Sequence, residues 1–283
     1  MKKKIETVQT LLDALTYITK FRGDIIVVKY GGSAQTSDSL KEKFAQDIAL
    51  LKAVGMKPVV VHGGGKSITS LLDELNIKSE FIDGQRVTSK EAMRVVEMVL
   101  SGEINKNIVS LLNSYEAKAI GISGKDANFI KAIPKDEGRF GYTGIIEEIN
   151  PSIVFNILDD GFVPVIAPIA TASKLNHPGF NINADLAASK IAIALKARKV
   201  LFLTDTEGVL DRDKKLIKTL TIAKTNELIK EGVISGGMIP KVNAAIEALK
   251  GGVKKAHIID GRLEHSLLLE ILTSSGIGTC IEL

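Results

Sequence analysis

Val27-Val28-Lys29-Tyr30-Gly31-Gly32-Ser33 and, thirty-two positions later, Val59-Val60-Val61-His62-Gly63-Gly64-Gly65-Lys66-Ser67 each run from β-branched residues straight into glycines. A buried strand ending in side-chain-free residues exposes backbone N–H groups, and a helix that follows adds the positive end of its dipole. Both turns therefore suit phosphate, and their succession sets two anion cradles side by side on one parallel sheet. The pair predicts an α/β chain with phosphoryl chemistry at its strand ends.

Working outward, the order from Asp24 is strand, glycine turn, helix over about 39–54 stopped by Gly55, strand after Pro58, glycine turn and helix to Leu75. That is a βαβα unit. Thr88 and Glu91 read as a capping box for a helix to about Leu100, with a second helix to about Asn113 and a strand over 117–122. Residues 128–149 alternate short β runs with turn residues and predict hairpins over the sheet's rim, with a helix over 151–158 and a strand over 162–169 to follow. The second half predicts a helix over 184–195, a strand over 199–203, a short hairpin and helix within 210–235, a helix burying Val242, Ala245, Ile246 and Leu249, and strand, helix, strand to the end.

Before all of this, Ile5, Val8, Leu11, Leu12, Leu15 and Ile18 repeat at helical spacing. They predict an amphipathic N-terminal helix whose stripe meets either its own domain or another subunit. The expected division is 1–22 for this helix, 23–170 for a first lobe and 171–283 for a second.

Apolar residues at 45% with only 5% aromatics fit a helix-covered parallel sheet. Thirty-seven basic against thirty-three acidic residues leave +4, spread along the chain, which gives nucleic-acid binding little support. Cys280, the sole cysteine, excludes an internal disulfide and fits a reducing cytosol. The lysines at 2–4 precede a segment broken by Glu6, Gln9 and Asp13 rather than an apolar signal core, and no apolar run is long enough to span a bilayer, so a cytoplasmic protein is expected.

Gly65-Lys66-Ser67 lacks the glycine that a Walker A loop needs at position 60, and Ile68 stands where a dinucleotide fingerprint needs its third glycine. Lys29, inside an apolar strand, must reach a cleft or a charge partner; a structural salt bridge is the plainer reading, a phosphate ligand the sharper one. In Asn181-Ile182-Asn183-Ala184-Asp185, helix capping accounts for one polar side chain but not three. Ser235-Gly236-Gly237-Met238-Ile239-Pro240-Lys241 puts a lysine in a helix's first turn, where only a nearby anion offsets the dipole.

Lys29-Tyr30-Gly31-Gly32-Ser33, His62 to Gly65, Asp83-Gly84-Gln85-Arg86-Val87-Thr88, Asn181 to Asp185, Thr204-Asp205 to Gly208 and Gly236-Gly237 to Lys241 resemble, in this order, the amino-acid kinase family and its branch acting on N-acetyl-L-glutamate. The resemblance implies a three-layer αβα sandwich with a mainly parallel open sheet. It implies transfer of the ATP γ-phosphoryl group to the side-chain carboxylate of N-acetyl-L-glutamate. Lys29 and Lys241 would contact the transferring group, with Asp185 between them; Gly64, Gly65, Arg86, Asn181 and Asn183 would bind the acyl amino acid. Gly31, Gly32, Thr204, Asp205, Gly208, Gly236 and Gly237 would line the nucleotide site, and Mg2+ would ride on the ATP because no dedicated carboxylate cage is seen. Tyr17, His257, Glu270 and Gly276 resemble the effector site of arginine-inhibited members, whose N-terminal helices join dimers into a hexamer, a trimer of dimers. The plainer readings are a satisfied strand-end histidine for His257 and a solvated face for Glu270. Other kinases of the family and a non-catalytic arginine-sensing module are the rivals. Ala127 stands where a glycine is expected, and Cys280 where methionine is common.

Overall fold

The computed structural model describes every residue except Thr36 and Asp83, together with the side chains of Lys3 and Ser33. Asp83, which opens one of the motifs above, therefore lies outside the described residues. Helix α1 spans Lys2–Phe21 and precedes β1 (Ile25–Tyr30), α2 (Asp38–Ala53), β2 (Lys57–His62) and α3 (Gly65–Glu74). A hairpin of β3 (Glu80–Ile82) and β4 (Gln85–Val87) leads into α4 (Lys90–Glu97), a π-helical segment Met98–Ile104 and α5 (Asn105–Ser114). After β5 (Ala119–Ser123) come the hairpin β6 (Ile130–Pro134) and β7 (Gly144–Ile149), then α6 (Ser152–Asp159), β8 (Val163–Ala167), β9 (Ile169–Ala170) and β10 (Phe180–Asn181). The remainder is α7 (Ala184–Ala194), β11 (Lys199–Thr204), β12 (Thr219–Thr221), α8 (Ile222–Lys230), α9 (Met238–Lys250), β13 (Lys255–Asp260), α10 (Ser266–Ile271) and β14 (Thr279–Glu282).

One eight-stranded sheet runs in the order β12-β14-β13-β11-β1-β2-β8-β5. Its neighbours are parallel except β13 and β14. The central strands read as unbroken apolar runs because both faces are covered, and their two-residue period divides each run between the layers. Val27, Val59, Val61, Val200 and Phe202 pack toward α6, α7 and α9. Ile26, Val28, Val60, Leu201 and Leu203 pack toward α2, α5 and α10. A smaller cluster joins α3, α4 and the π-helical segment through Ile68, Leu72, Val96 and Leu100. The result is the three-layer αβα sandwich expected. Among the described residues, no helix is long and apolar enough to cross a membrane.

Two local expectations are corrected. Ser89, not Thr88, caps α4: its hydroxyl accepts from the Ala92 N–H at 3.1 Å. Thr88 is held in the preceding sheet-like contact, its carbonyl accepting from Tyr142 at 2.8 Å and its hydroxyl meeting that of Thr143 at 2.8 Å. The two helices expected up to Asn113 are one rod, because the π-helical segment takes up the offset between α4 and α5 without a break. The short hairpin expected after Leu210 is present as an antiparallel bridge between Leu210 and Leu216, flanked by hydrogen bonds from Asp211 to Lys215 and from Ile217 to Val209, both 2.9 Å, and β12 then joins the main sheet. Ala127 lies at φ +50°, the left-handed conformation for which glycine is suited.

Candidate active site

Strand periodicity aims the first candidate. Lys29 shares the face of Val27, which looks toward α7, and Asp185 stands in the first turn of that helix. Asn183 caps α7, its side-chain oxygen accepting from the N–H groups of Asp185 at 2.9 Å and Leu186 at 3.1 Å. The cap fixes the direction in which the Asp185 carboxylate leaves the helix. Lys29 Nζ lies 3.2 Å from Asp185 Oδ1, an ion pair without hydrogen-bond alignment, while Lys241 Nζ donates to Oδ2 at 3.0 Å. Burial opposes ionisation of Asp185, but the two ammonium groups outweigh it and hold the carboxyl below its ordinary range. Asp185 is thus the anion that offsets Lys241 at the start of α9. Two cations around one carboxylate leave this cluster suited to a further anion.

A cleft of about 240 Å3 opens beside the cluster at the carboxyl ends of β1 and β2. Gly31, Gly32, Gly64 and Gly65 line it with Lys29 and Asp185, as do Arg86, Asn181 and Asn183. At Gly32, with φ +70°, a β-carbon would collide with the Asp205 carboxylate, so the turn needs glycine for both conformation and close approach.

Arg86 reaches this cleft from the β3–β4 hairpin, directly across from Phe81 in the register, and its guanidinium stacks 4.7 Å from that ring's centre. Its nitrogens donate to the hydroxyls of Ser79 and Thr69, the latter at 2.9 Å, and to the Gly65 carbonyl at 3.2 Å. Asn181 donates to the Thr88 hydroxyl at 3.2 Å. Thr143, which also lines the cleft, donates to the Arg86 carbonyl at 2.6 Å. Thr69, Ser79 and Thr143 carry no motif signal; only the fold, which sets α3 and the β6–β7 hairpin against the β3–β4 hairpin, brings them to Arg86.

Of the expected nucleotide residues, Gly31 and Gly32 line this cleft and the other five do not. Thr204 ends β11 and is buried, its carbonyl accepting from Gly261 at 2.8 Å. Asp205 packs at Gly32. Gly208 lies against Thr279, and Gly236 and Gly237 form the exposed turn before α9 that presents Lys241.

Tyr17, His257, Glu270 and Gly276 come together in a second cleft, of about 560 Å3, where the end of α1 meets β13 and α10. His257 shares the α10 face of β13, and its Nδ1 lies 2.6 Å from Glu270 Oε1. Burial lowers the His257 pKa against the pull of Glu270, so a neutral imidazole donates to an ionised carboxylate. Glu270 Oε2 also accepts from the backbone of Ile277 at 2.7 Å and Gly278 at 3.0 Å. His257 Nε2 is buried without a hydrogen-bond partner among the described residues. Lys199, passed over in the motif reading, lines the same cleft and stacks 4.5 Å from the Phe21 ring. Its signal was present: like Lys29, it is a lysine on an apolar strand.

The model of the amino acid kinase family matches residues 24–260. The chain belongs to the amino acid kinase family. It is 70% identical, over all of both chains, to a Sulfurovum protein named acetylglutamate kinase. It is 68% identical to a Nitratiruptor protein of the same name over 99% of this chain and 98% of the other. Among solved structures, the N-acetylglutamate synthase of Neisseria gonorrhoeae complexed with coenzyme A and N-acetyl-glutamate superposes with a TM-score of 0.87 at 25% identity, over 98% of this chain and 63% of that one. The carbamate kinase of Giardia lamblia bound to AMP-PNP shares the fold, with a TM-score of 0.70 over 92% of this chain and 98% of the other at 18% identity. This family member is a phosphotransferase.

Proposed function

We propose that the chain is an acetylglutamate kinase of arginine biosynthesis, transferring the γ-phosphoryl group of ATP to the side-chain carboxylate of N-acetyl-L-glutamate and releasing N-acetyl-L-glutamyl 5-phosphate and ADP. The observation that carries this is the Lys29–Asp185–Lys241 cluster at the mouth of a cleft that also holds Arg86. A carboxylate with a pKa of about 4.3 is ionised at neutral pH, so the attacking oxygen needs no general base. What the reaction needs is two anionic substrates held in line and charge neutralised on the group in transit.

Lys29 and Lys241 supply that neutralisation, and Asp185 keeps their ammonium groups apart and aimed. The Gly31-Gly32 and Gly236-Gly237 turns, with Thr204, Asp205 and Gly208, serve the nucleotide in the second lobe, residues 171–283. The first lobe, residues 23–170, supplies Gly64, Gly65 and Arg86 to the acyl amino acid, with Asn181 and Asn183 reaching it from across the boundary. Arg86 swings part of its donor fork to the substrate's α-carboxylate. Both Asp185 oxygens face lysines, and Mg2+ enters as part of the ATP substrate, on its phosphates. An ATP-consuming step suits the cytoplasm, where we place it.

The second cleft is the site of feedback inhibition by L-arginine. Glu270 is its guanidinium partner and Lys199 a counter-charge for its carboxylate. The stripe of α1 joins subunits into a hexameric ring, a trimer of dimers. Turnover of ATP with N-acetyl-L-glutamate tests the catalytic reading. Lys29→Ala and Lys241→Ala should each remove roughly 3–4 kcal/mol of transition-state stabilisation, and a kcat within about threefold of wild type for both rejects it.

A further inference from the structure

His62 closes β2 on the face it shares with Val60, looking toward α5, and its ring is fully buried. Its Nδ1 lies 3.0 Å from the Gly63 carbonyl oxygen and its Nε2 lies 3.2 Å from the side-chain nitrogen of Asn105. A carbonyl only accepts and an amide nitrogen only donates, so the ring carries its proton on Nδ1 and accepts at Nε2. Burial pushes the His62 pKa down to about 4, which keeps that neutral form in place.

Asn105 stands where the π-helical segment becomes α5. The same side-chain nitrogen donates to the Val165 carbonyl of β8 at 2.9 Å, and its oxygen accepts from Lys106 at 3.0 Å. Strand β5 leaves room for it only because residue 121 is glycine, where a β-carbon would collide with the Asn105 oxygen. From the other side, Leu100 and Ile104 of the π-helical segment press on Gly64 so closely that a β-carbon there would strike both.

One segment therefore grips the Gly63-Gly64-Gly65 turn twice, through His62 at a carbonyl and through two aliphatic side chains at an α-carbon. The peptide unit is planar and trans, so fixing the Gly63 carbonyl toward His62 fixes the Gly64 N–H in the opposite direction. π-Helical turns cost stability relative to α and persist where they place particular side chains.

We propose that His62, Asn105 and the π-helical segment Met98–Ile104 are the positioning device of the acyl-amino-acid site, setting the direction of the Gly64 N–H that meets the substrate. The assignment of that substrate rests on the function proposed above. His62 and Asn105 touch no reacting atom; they act through the turn.

Steady-state kinetics of the full-length enzyme with both substrates varied test this. His62→Ala should raise the KM for N-acetyl-L-glutamate by about tenfold while the KM for ATP stays within about twofold. His62→Asn, whose amide nitrogen replaces Nδ1–H toward Gly63, should recover most of that loss. Gly121→Ala, which displaces Asn105 from within β5, should reproduce the same split. Ile104→Val, a one-methyl change on the other arm of the grip, should raise the same KM by about threefold and keeps the test open if the larger changes fail to fold. Folded variants that leave that KM unchanged, raise both KM values together, or show His62→Asn no better than His62→Ala overturn the proposal. Amide hydrogen exchange across Gly63 to Gly65 reads the grip without catalysis: exchange faster by about tenfold in His62→Ala but not in His62→Asn supports it, and equal exchange rejects it. A wild-type protein that fails to phosphorylate N-acetyl-L-glutamate would reject the substrate reading and leave that exchange test standing.

Discussion

Lys241 sits where a helix start least favours a cation, and the structure answers with a buried carboxylate from a different helix. The sequence carried half of this: an out-of-place charge was visible, but its partner, fifty-six positions away, was not. Arg86 is the reverse case, visible as a site residue although the hydroxyls that hold it are scattered. Arg86→Lys keeps the charge and loses the fork to Thr69, Ser79 and the Gly65 carbonyl. It should raise the KM for N-acetyl-L-glutamate by about tenfold with little change for ATP; a rise for ATP alone would assign Arg86 to the nucleotide. His62 adds a pH signature. Its pKa falls from 6.5 to about 4 on folding, so the unfolded chain binds the extra proton between those values. Its contribution is complete above pH 6.5 and is lost as pH falls toward 4, about 2–3 kcal/mol between pH 7 and pH 4.5. Urea midpoints at the two pH values should show this loss in the wild type and a flatter dependence in His62→Asn.

At the scale of elements, the parallel strands and their glycine turns were legible because burial on both faces leaves continuous β-branched runs and a turn against a ligand leaves glycine. The π-helical segment was not, since its offset leaves the apolar spacing of the surrounding helices almost unchanged while rotating Asn105 inward. The cap of α4 was misplaced by one residue because Thr88 and Ser89 are chemically alike, and the choice between them is made by the pairing of Thr88 with Tyr142. Ala127 was flagged from sequence alone, and its backbone explains the flag. At φ +50° an alanine is strained where glycine is not. Ala127→Gly should therefore raise stability by about 0.5–1 kcal/mol, read as an upward shift in the urea midpoint with unchanged kcat. A downward shift would mean that chain entropy outweighs the strain.

The whole molecule presents a helix that its own body does not cover. Ile5, Val8, Leu11, Leu12 and Leu15 are all exposed on α1, whereas Phe21 at its end is buried and Tyr17 lines the second cleft. A stripe of that kind in a single chain calls for another apolar surface, and the second cleft shares the helix that carries it. Removal of residues 1–21 should reduce the mass in light scattering from hexamer to dimer and weaken inhibition by millimolar L-arginine. A truncated protein that stays hexameric, or one inhibited as before, would separate the helix from the corresponding role.

Strand β1 lies between β2, its near neighbour in sequence, and β11, more than 160 residues further on. During synthesis the half-sheet β1-β2-β8-β5 is therefore complete in sequence while one side of its central strand still lacks its partner. That side, lined by Ile26 to Lys29, is an unpaired apolar ladder until β11 leaves the ribosome. At about 5–20 residues per second, the wait from β8 to the end of β11 lasts seconds, the interval in which a stalled or slowly translated chain is most exposed to pairing with a neighbour.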